Sequence, residues 1–220
     1  FLRNLWTGFG GVLMQNPGEM NWTKLGLFCF NPHLRNNWGG NLEIEVGPYY
    51  EADTSFLFRC ANLSIWGNGA KYNIWLGGNV YYSYNYYRNF LAHQASTYHG
   101  FYWTIMPRIS LNLDSYTWIE WDTTNTIIAI WPAATPRIDF TITPTMTFGI
   151  FNEFVFTTPG TDFSKTEYLT NRFGFLFSYN FKSKSWLFIA LNDYRVQNEM
   201  GKLELKNQVG AIKAKYLIYF

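Results

Sequence analysis

At 220 residues with 48% apolar side chains, the chain is long enough for one domain of good size with an ample core. A formal net charge of +2 and only 15% charged residues exclude a basic nucleic-acid surface and a basic membrane-docking helix, so no nucleic acid is expected as a partner. No stretch reaches the roughly 20 apolar residues a spanning helix requires, since the best run, Ile127 to Ala134, is interrupted by Pro132.

Aromatic residues make up 21% of the chain, with 10 Trp, 16 Tyr and 20 Phe. So many rings need positions with one apolar and one polar side, which bilayer interfaces provide. Lipid offers a backbone no hydrogen bonds, so the spanning structure left open is a closed barrel, whose alternating strands score as only moderately hydrophobic. The mean hydropathy of -0.15 is compatible with that.

From the start, Phe1 to Phe30 alternates poorly, and the absence of a methionine or signal-peptide pattern reads as a processed or truncated product. The link Asn31 to Gly40 is long. Asn41 to Tyr50 then sets Leu42, Ile44, Val46 and Tyr50 against Glu43, Glu45 and Gly47. Arg59 fits a polar face if Phe56 and Phe58 point the other way. After a short connection at Gly67 to Lys71, Tyr72 to Tyr86 sets Ile74, Leu76, Val80, Tyr82 and Tyr84 against Asn73, Trp75, Gly77, Asn79 and Ser83. A polar connection is expected at Asn89 to Thr97. Phe101 to Leu113 reads as one strand with a bulge or break at Pro107, which cannot donate to a ladder, and a short connection follows at Leu113 to Tyr116.

Further on, Ile138, Phe140 and Ile142 oppose Arg137, Asp139 and Thr141, and Thr143 to Thr145 turns the chain tightly into Met146, Phe148, Ile150, Phe154 and Phe156. Beyond a longer connection at Thr157 to Tyr168 lies the cleanest strand. There Phe173, Phe175, Phe177, Tyr179 and Phe181 share one face and Arg172, Gly174, Leu176, Ser178 and Asn180 the other. A sandwich core would have to fit five rings at period two, whereas acyl chains accept them without a jigsaw constraint. Lys182 to Ser185 is a short turn and Tyr194 to Val209 a longer connection. The final residues, Gly210 to Phe220, put Ile212, Ala214, Tyr216, Ile218 and Phe220 on one face and Ala211, Lys213, Lys215, Leu217 and Tyr219 on the other.

Counting back from Phe220, the short turns fall at one end and the longer connections at the other, as in barrels with short periplasmic turns. About twelve antiparallel strands result, ten being the alternative count, in a single domain over residues 1–220. A basic residue facing lipid near the midplane costs about 2–4 kcal/mol. Accordingly Glu43, Glu45, Arg108, Glu120, Asp122, Arg137, Asp139, Glu153, Arg172, Lys213 and Lys215 are expected on the non-aromatic, lumen-lining face, where ion pairing accounts for them. Lys24 fits less cleanly. Trp75, Tyr81, Tyr102, Trp118, Phe151 and Tyr219 also read as inward.

Little else carries chemistry. His33, His93 and His99 fall in expected connections without carboxylates or cysteines at ligand spacing, so neither metal nor cofactor is expected. His93, Ser96 and His99 invite a hydrolase reading, but Ser96 reads as an ordinary loop serine. The carboxylate pairs Glu43 with Glu45 and Glu120 with Asp122 could serve acid–base work, against which nearby basic residues favour ion pairing. Cys29 and Cys60 fall on strands separated by a third, too far for the roughly 7 Å Cα separation a disulfide allows. The sequons at Asn21 and Asn62 and the glycine pairs Gly39-Gly40 and Gly77-Gly78 read as incidental.

The closing strand with its terminal aromatic, Ile212, Tyr216, Ile218 and Phe220, resembles that of bacterial outer-membrane β-barrel proteins. That resemblance implies an outer-membrane location and an assembly signal in those residues, read by the barrel-assembly machinery. The strand, Thr-Pro-Thr and strand of Arg137 to Phe156 is similar to barrel domains of unknown function that follow a carbohydrate-binding-like module, which implies no assigned activity. The fold expected is an all-β, up-and-down transmembrane barrel in contact with membrane lipid. It would act as a narrow or gated pore, or as the embedded subunit of a surface assembly with other outer-membrane or surface proteins, and not as an enzyme. The alternatives are a soluble aromatic-rich β-sandwich that binds glycans and an outer-membrane lipid hydrolase.

Overall fold

The computed structural model describes residues 1–15, 21–51 and 54–217. These form twelve strands: β1 (Leu2–Met14), β2 (Thr23–Leu34), β3 (Trp38–Glu51), β4 (Thr54–Asn68), β5 (Tyr72–Asn85), β6 (Phe90–Met106), β7 (Ile109–Trp121), β8 (Ile127–Thr143), β9 (Met146–Pro159), β10 (Glu167–Lys182), β11 (Ser185–Gln197) and β12 (Leu203–Lys215). One 3₁₀ turn, Phe163–Lys165, lies between β9 and β10. The strands make a single antiparallel up-and-down sheet in chain order. The architecture is that expected, with twelve strands rather than ten.

Residues 35–37, 69–71, 107–108, 144–145 and 183–184 connect strands at one end, hereafter the turn end. Residues 86–89, 122–126, 160–166 and 198–202 connect them at the opposite, loop end. At four of these reversals a residue takes positive φ, namely Asn37, Asn89, Asn125 and Lys184, and asparagine tolerates that region better than most side chains.

Several boundaries differ from the sequence reading. Pro107 and Arg108 form the whole turn between β6 and β7, so the expected single strand Phe101 to Leu113 is two, and Arg108 is a turn residue. The expected connection at Leu113 to Tyr116 lies inside β7, and most of Asn89 to Thr97 belongs to β6. His33, His93 and His99 are therefore strand residues, as is Ser96. The poorly alternating N-terminal stretch forms β1 and β2, and the Asn31 to Gly40 link contracts to a turn at residues 35–37. Within β8, Pro132 and Pro136 interrupt the ladder to β9, whose pairing skips residues 131–132 and 135–136 because proline has no N–H to donate.

Strands lie about 4.8 Å apart, so side chains two strands apart meet only where a sheet bends towards them. Tyr81 of β5 and Trp118 of β7 meet edge to face at 6.0 Å, Asn85 of β5 reaches Glu120 of β7, and Tyr98 of β6 reaches Asn62 of β4. That face is concave. One row of paired residues runs Asn41, Ser64, Gly77, Tyr98, Tyr116, Ala133, Val155, Thr170, Val196 and Glu204. It climbs from the turn end of β3 to the loop end of β12, so the strands are staggered as in a tilted, rolled sheet.

Burial is inverted relative to a water-soluble domain. Ser83, Asn85, Gln94, Ser96, Glu120 and Ser178 are buried on the concave face, while Phe56, Ala92 and Ala129 are the buried apolar residues among those described. The convex face exposes Val46, Leu63, Ile65, Leu76, Val80, Phe173 and Ile212.

Candidate functional site: the polar concave face

Alternation delivers a polar set to one face because paired neighbours in a ladder share a side. Glu43 pairs with Cys29 and Asn62, and Glu45 with Cys60. The row continues from Asn62 to Asn79, Ser96 and Trp118. Arg137 and Asp139 share this face through Asn112 and Ser110. Glu153 opposes Arg172, and Lys213 and Lys215 oppose Phe188 and Trp186. Trp75, Tyr81, Tyr102, Trp118 and Phe151 lie on the same face, whereas Tyr219 falls outside the described residues.

Two expected members of the set lie elsewhere. Arg108 occupies its turn, and Asp122 lies in the loop after β7. Asp122 accepts from the backbone N–H of Thr124 at 2.8 Å and of Thr126 at 2.9 Å, and from the Thr124 hydroxyl. These donors hold its carboxyl below the usual aspartate range. Arg59 also departs from expectation. Phe56 and Phe58 turn to the concave face, leaving Arg59 exposed on the convex one over the Tyr82 ring at 5.5 Å. The aromatic partner offsets part of the cost of that placement. Lys24 pairs with Leu13 beside the loop end, at the start of β2.

Several concave polar groups are satisfied by one another, whereas the buried Asn192 Oδ1 has no hydrogen-bond partner among the described residues. Gln94 Nε2 donates to Ser83 Oγ at 2.9 Å, and Ser96 Oγ to Asn79 Oδ1 at 3.0 Å. Arg137 Nη2 lies 2.8 Å from Asp139 Oδ1. Near the loop end Asn85 Nδ2 donates to Glu120 Oε1 at 3.1 Å, and Arg88 donates to Oε2 from Nε at 3.2 Å and Nη2 at 2.9 Å. Asn85 Oδ1 in turn accepts from the backbone N–H of Tyr87 and Arg88, which pins the β5–β6 loop over Glu120. Asn85 and Arg88 were not singled out in the sequence; the available signal was Glu120, an acid whose face needed a cation.

Of the expected set, Arg137 pairs with Asp139, and Glu120 pairs with Arg88, a cation from outside that set. Glu43, Glu45, Glu153, Arg172, Lys213 and Lys215 take part in no ion pair among the described residues; Arg172 lies instead over the Phe151 ring.

Ser96 and the histidines do not assemble. Ser96 is buried on the concave face, whereas His93 pairs with Tyr82 and His99 with Ser115 on the convex one. His93 Nδ1 lies 2.8 Å from Asn125 Oδ1 and His99 Nδ1 3.2 Å from Ser115 Oγ. A nucleophile and its base must share one side of a strand, so this geometry does not support the hydrolase. Cys29 and Cys60 are free, with β3 between their strands. No group of three or more His, Cys, Asp or Glu side chains that could hold a metal occurs among the described residues.

Of the terminal set, Ile212 is convex and 77% exposed. Tyr216 follows β12, stacks on Phe181 at 6.3 Å and accepts from Lys182 Nζ at 3.0 Å. Ile218 and Phe220 lie outside the described residues.

No family model matches the chain, and no curated protein does. Among solved structures it is similar to the NanC porin in a rhombohedral crystal form, at 9% identity and a TM-score of 0.43, over 96% of this chain and 98% of that one. A likeness so slight adds nothing to the geometry above.

Proposed function

We propose that the chain is an integral outer-membrane β-barrel closed by β1 against β12, with its convex face in lipid and its concave face lining a narrow or gated pore. The observation that carries this reading is the inverted burial: most of the buried polar side chains, Ser83, Asn85, Gln94, Ser96, Glu120 and Ser178 among them, lie on the concave face, while the convex face exposes large apolar ones; Thr158 and Asp193 are buried polar residues of the convex face. In water an exposed apolar surface of this extent would drive association, whereas in lipid it is the ground state. The partition of short and longer connections between the two ends supports the same orientation, with the turn end periplasmic. Ile212, Tyr216, Ile218 and Phe220 are read by the barrel-assembly machinery, and aromatic belts anchor both rims. The alternative to a pore is a role as the embedded subunit of a larger surface assembly, with which the hairpin resemblance at Arg137 to Phe156 is compatible.

A soluble glycan-binding sandwich requires the opposite burial, with the rings enclosed between two sheets. The pore is narrow because Trp75, Tyr81, Tyr102, Trp118 and Phe151 share the concave face with charges of both signs, and small barrels pass solute only where inward side chains are small. Reconstituted in planar bilayers, the chain is expected to show small or gated current steps. Large, ungated and weakly selective steps would contradict the narrow pore.

A further inference from the structure

At the loop end of the concave face lies a cavity of about 570 Å³ lined by Tyr87, Arg88, Tyr116, Trp118, Glu120 and Trp131. We propose that it binds a neutral pyranose ring, which deepens the pore reading above and rests on it by naming the solute class met at the mouth.

Three observations point to that chemistry. Trp118 and Trp131 are direct cross-strand partners on one face, giving two adjacent indoles, and Tyr81 braces Trp118 edge to face at 6.0 Å. The negative face of an indole accepts the slightly positive C–H groups of a sugar ring. Beside this apolar wall stands a fixed polar group. Glu120 is 4% exposed, and its oxygens are held by Asn85 and Arg88. Apolar walls with a few convergent polar groups are the usual make-up of a small-molecule site.

The charge state selects against ions. Arg88 engages Glu120 through Nε and Nη2, so an entering anion meets a cation already neutralised and a carboxylate behind it. An entering cation meets an acid already satisfied. A neutral ring loses neither interaction: it stacks on the indoles while its hydroxyls reach Arg88 Nη1, which lies outside the pair, and the Tyr116 and Tyr87 hydroxyls. Glu120 thus acts as a selectivity residue through Arg88.

The test is calorimetric titration of the detergent-solubilised chain with maltohexaose, cellohexaose and, separately, glucuronate. Binding of at least one neutral oligosaccharide is expected, weakened tenfold or more in Trp118→Ala and Trp131→Ala and by less than twofold in Trp103→Ala, whose ring is convex. Glucuronate is expected to bind the parent at least tenfold more weakly, and to gain about tenfold in Glu120→Gln, which releases Arg88. Each variant is first checked for the heat-dependent gel mobility of a closed barrel. A variant that lacks it is replaced by the milder Trp118→Leu or Trp131→Leu, for which the same tenfold loss is expected. A parent chain without the mobility shift overturns the barrel reading. A shifting parent that binds neither oligosaccharide, binds them unchanged after loss of both indoles, or prefers glucuronate overturns the site alone. Saturable binding of p-nitrophenol with neither oligosaccharide bound overturns it in favour of an aromatic solute.

Discussion

Glu120 carries a charge at a position nearly sealed from solvent, and it is tolerable there because three hydrogen bonds from Asn85 and Arg88 replace its water. Truncation of one partner in such a set leaves the others unpaired, at about 1.5–3 kcal/mol for a charged group. Glu120→Ala should therefore lose stability of that order in urea unfolding from detergent and release the 86–89 loop that Asn85 pins. An unchanged midpoint would contradict the pinning. In the connections at the loop end Asp122 and Asp162 are held below the ordinary aspartate range by donors, chiefly the Thr126 backbone N–H and the Ser164 hydroxyl respectively. Because the folded value is the lower one, their contribution is full above the unfolded aspartate value of about 3.9 and is lost as pH falls through the folded value. The amide resonances of Thr124, Thr126 and Ser164 should thus hold their neutral-pH positions past the ordinary aspartate midpoint. Titration at that midpoint would contradict the capping.

At the scale of the strand, faces were more legible than ends. The faces of β3, β5, β8 and β10 followed from period two alone. The β6–β7 boundary did not, because the two-residue turn at Pro107 and Arg108, which alone would shift the phase by one, comes with a bulge between Thr104 and Met106 that restores it: Phe101, Trp103, Leu111 and Leu113 stay in phase across the reversal and one long strand is read. The first half of β6 reads as a connection because Gln94 and Ser96 on one face and His93 on the other make both sides polar. Arg59 was misplaced since Phe56 and Phe58, aromatic yet concave, break the rule that rings face outward. The faces also discriminate between solvents. Leu63 is convex and 59% exposed. In water, substitution of so exposed a residue stays within about 0.5 kcal/mol, whereas a basic residue facing lipid costs about 2–4 kcal/mol. Leu63→Arg should show the larger cost in refolding into lipid vesicles, and a neutral result would place this face in water.

Over the whole molecule, the strand count, the antiparallel order and the turns after Gly67, at Thr143 to Thr145 and at Lys182 to Ser185 could be read from the chain, because each is set by alternation and turn chemistry, whereas the turn at Pro107 and Arg108 could not. The concave constellation was legible as a face but not as contacts. Which acid meets which cation depends on stagger, and stagger comes from register across many ladders rather than from any one strand. Only the fold brings Arg88 and Glu120, Trp118 and Trp131 to one mouth. The central claim, a closed barrel that holds its polar face inward and its apolar face in lipid, is tested most directly by electrophoretic mobility in SDS with and without boiling. A closed barrel keeps its ladder in the detergent until heated, so the unboiled chain should run as a faster, compact band that shifts on boiling. Identical mobility before and after heating would contradict it.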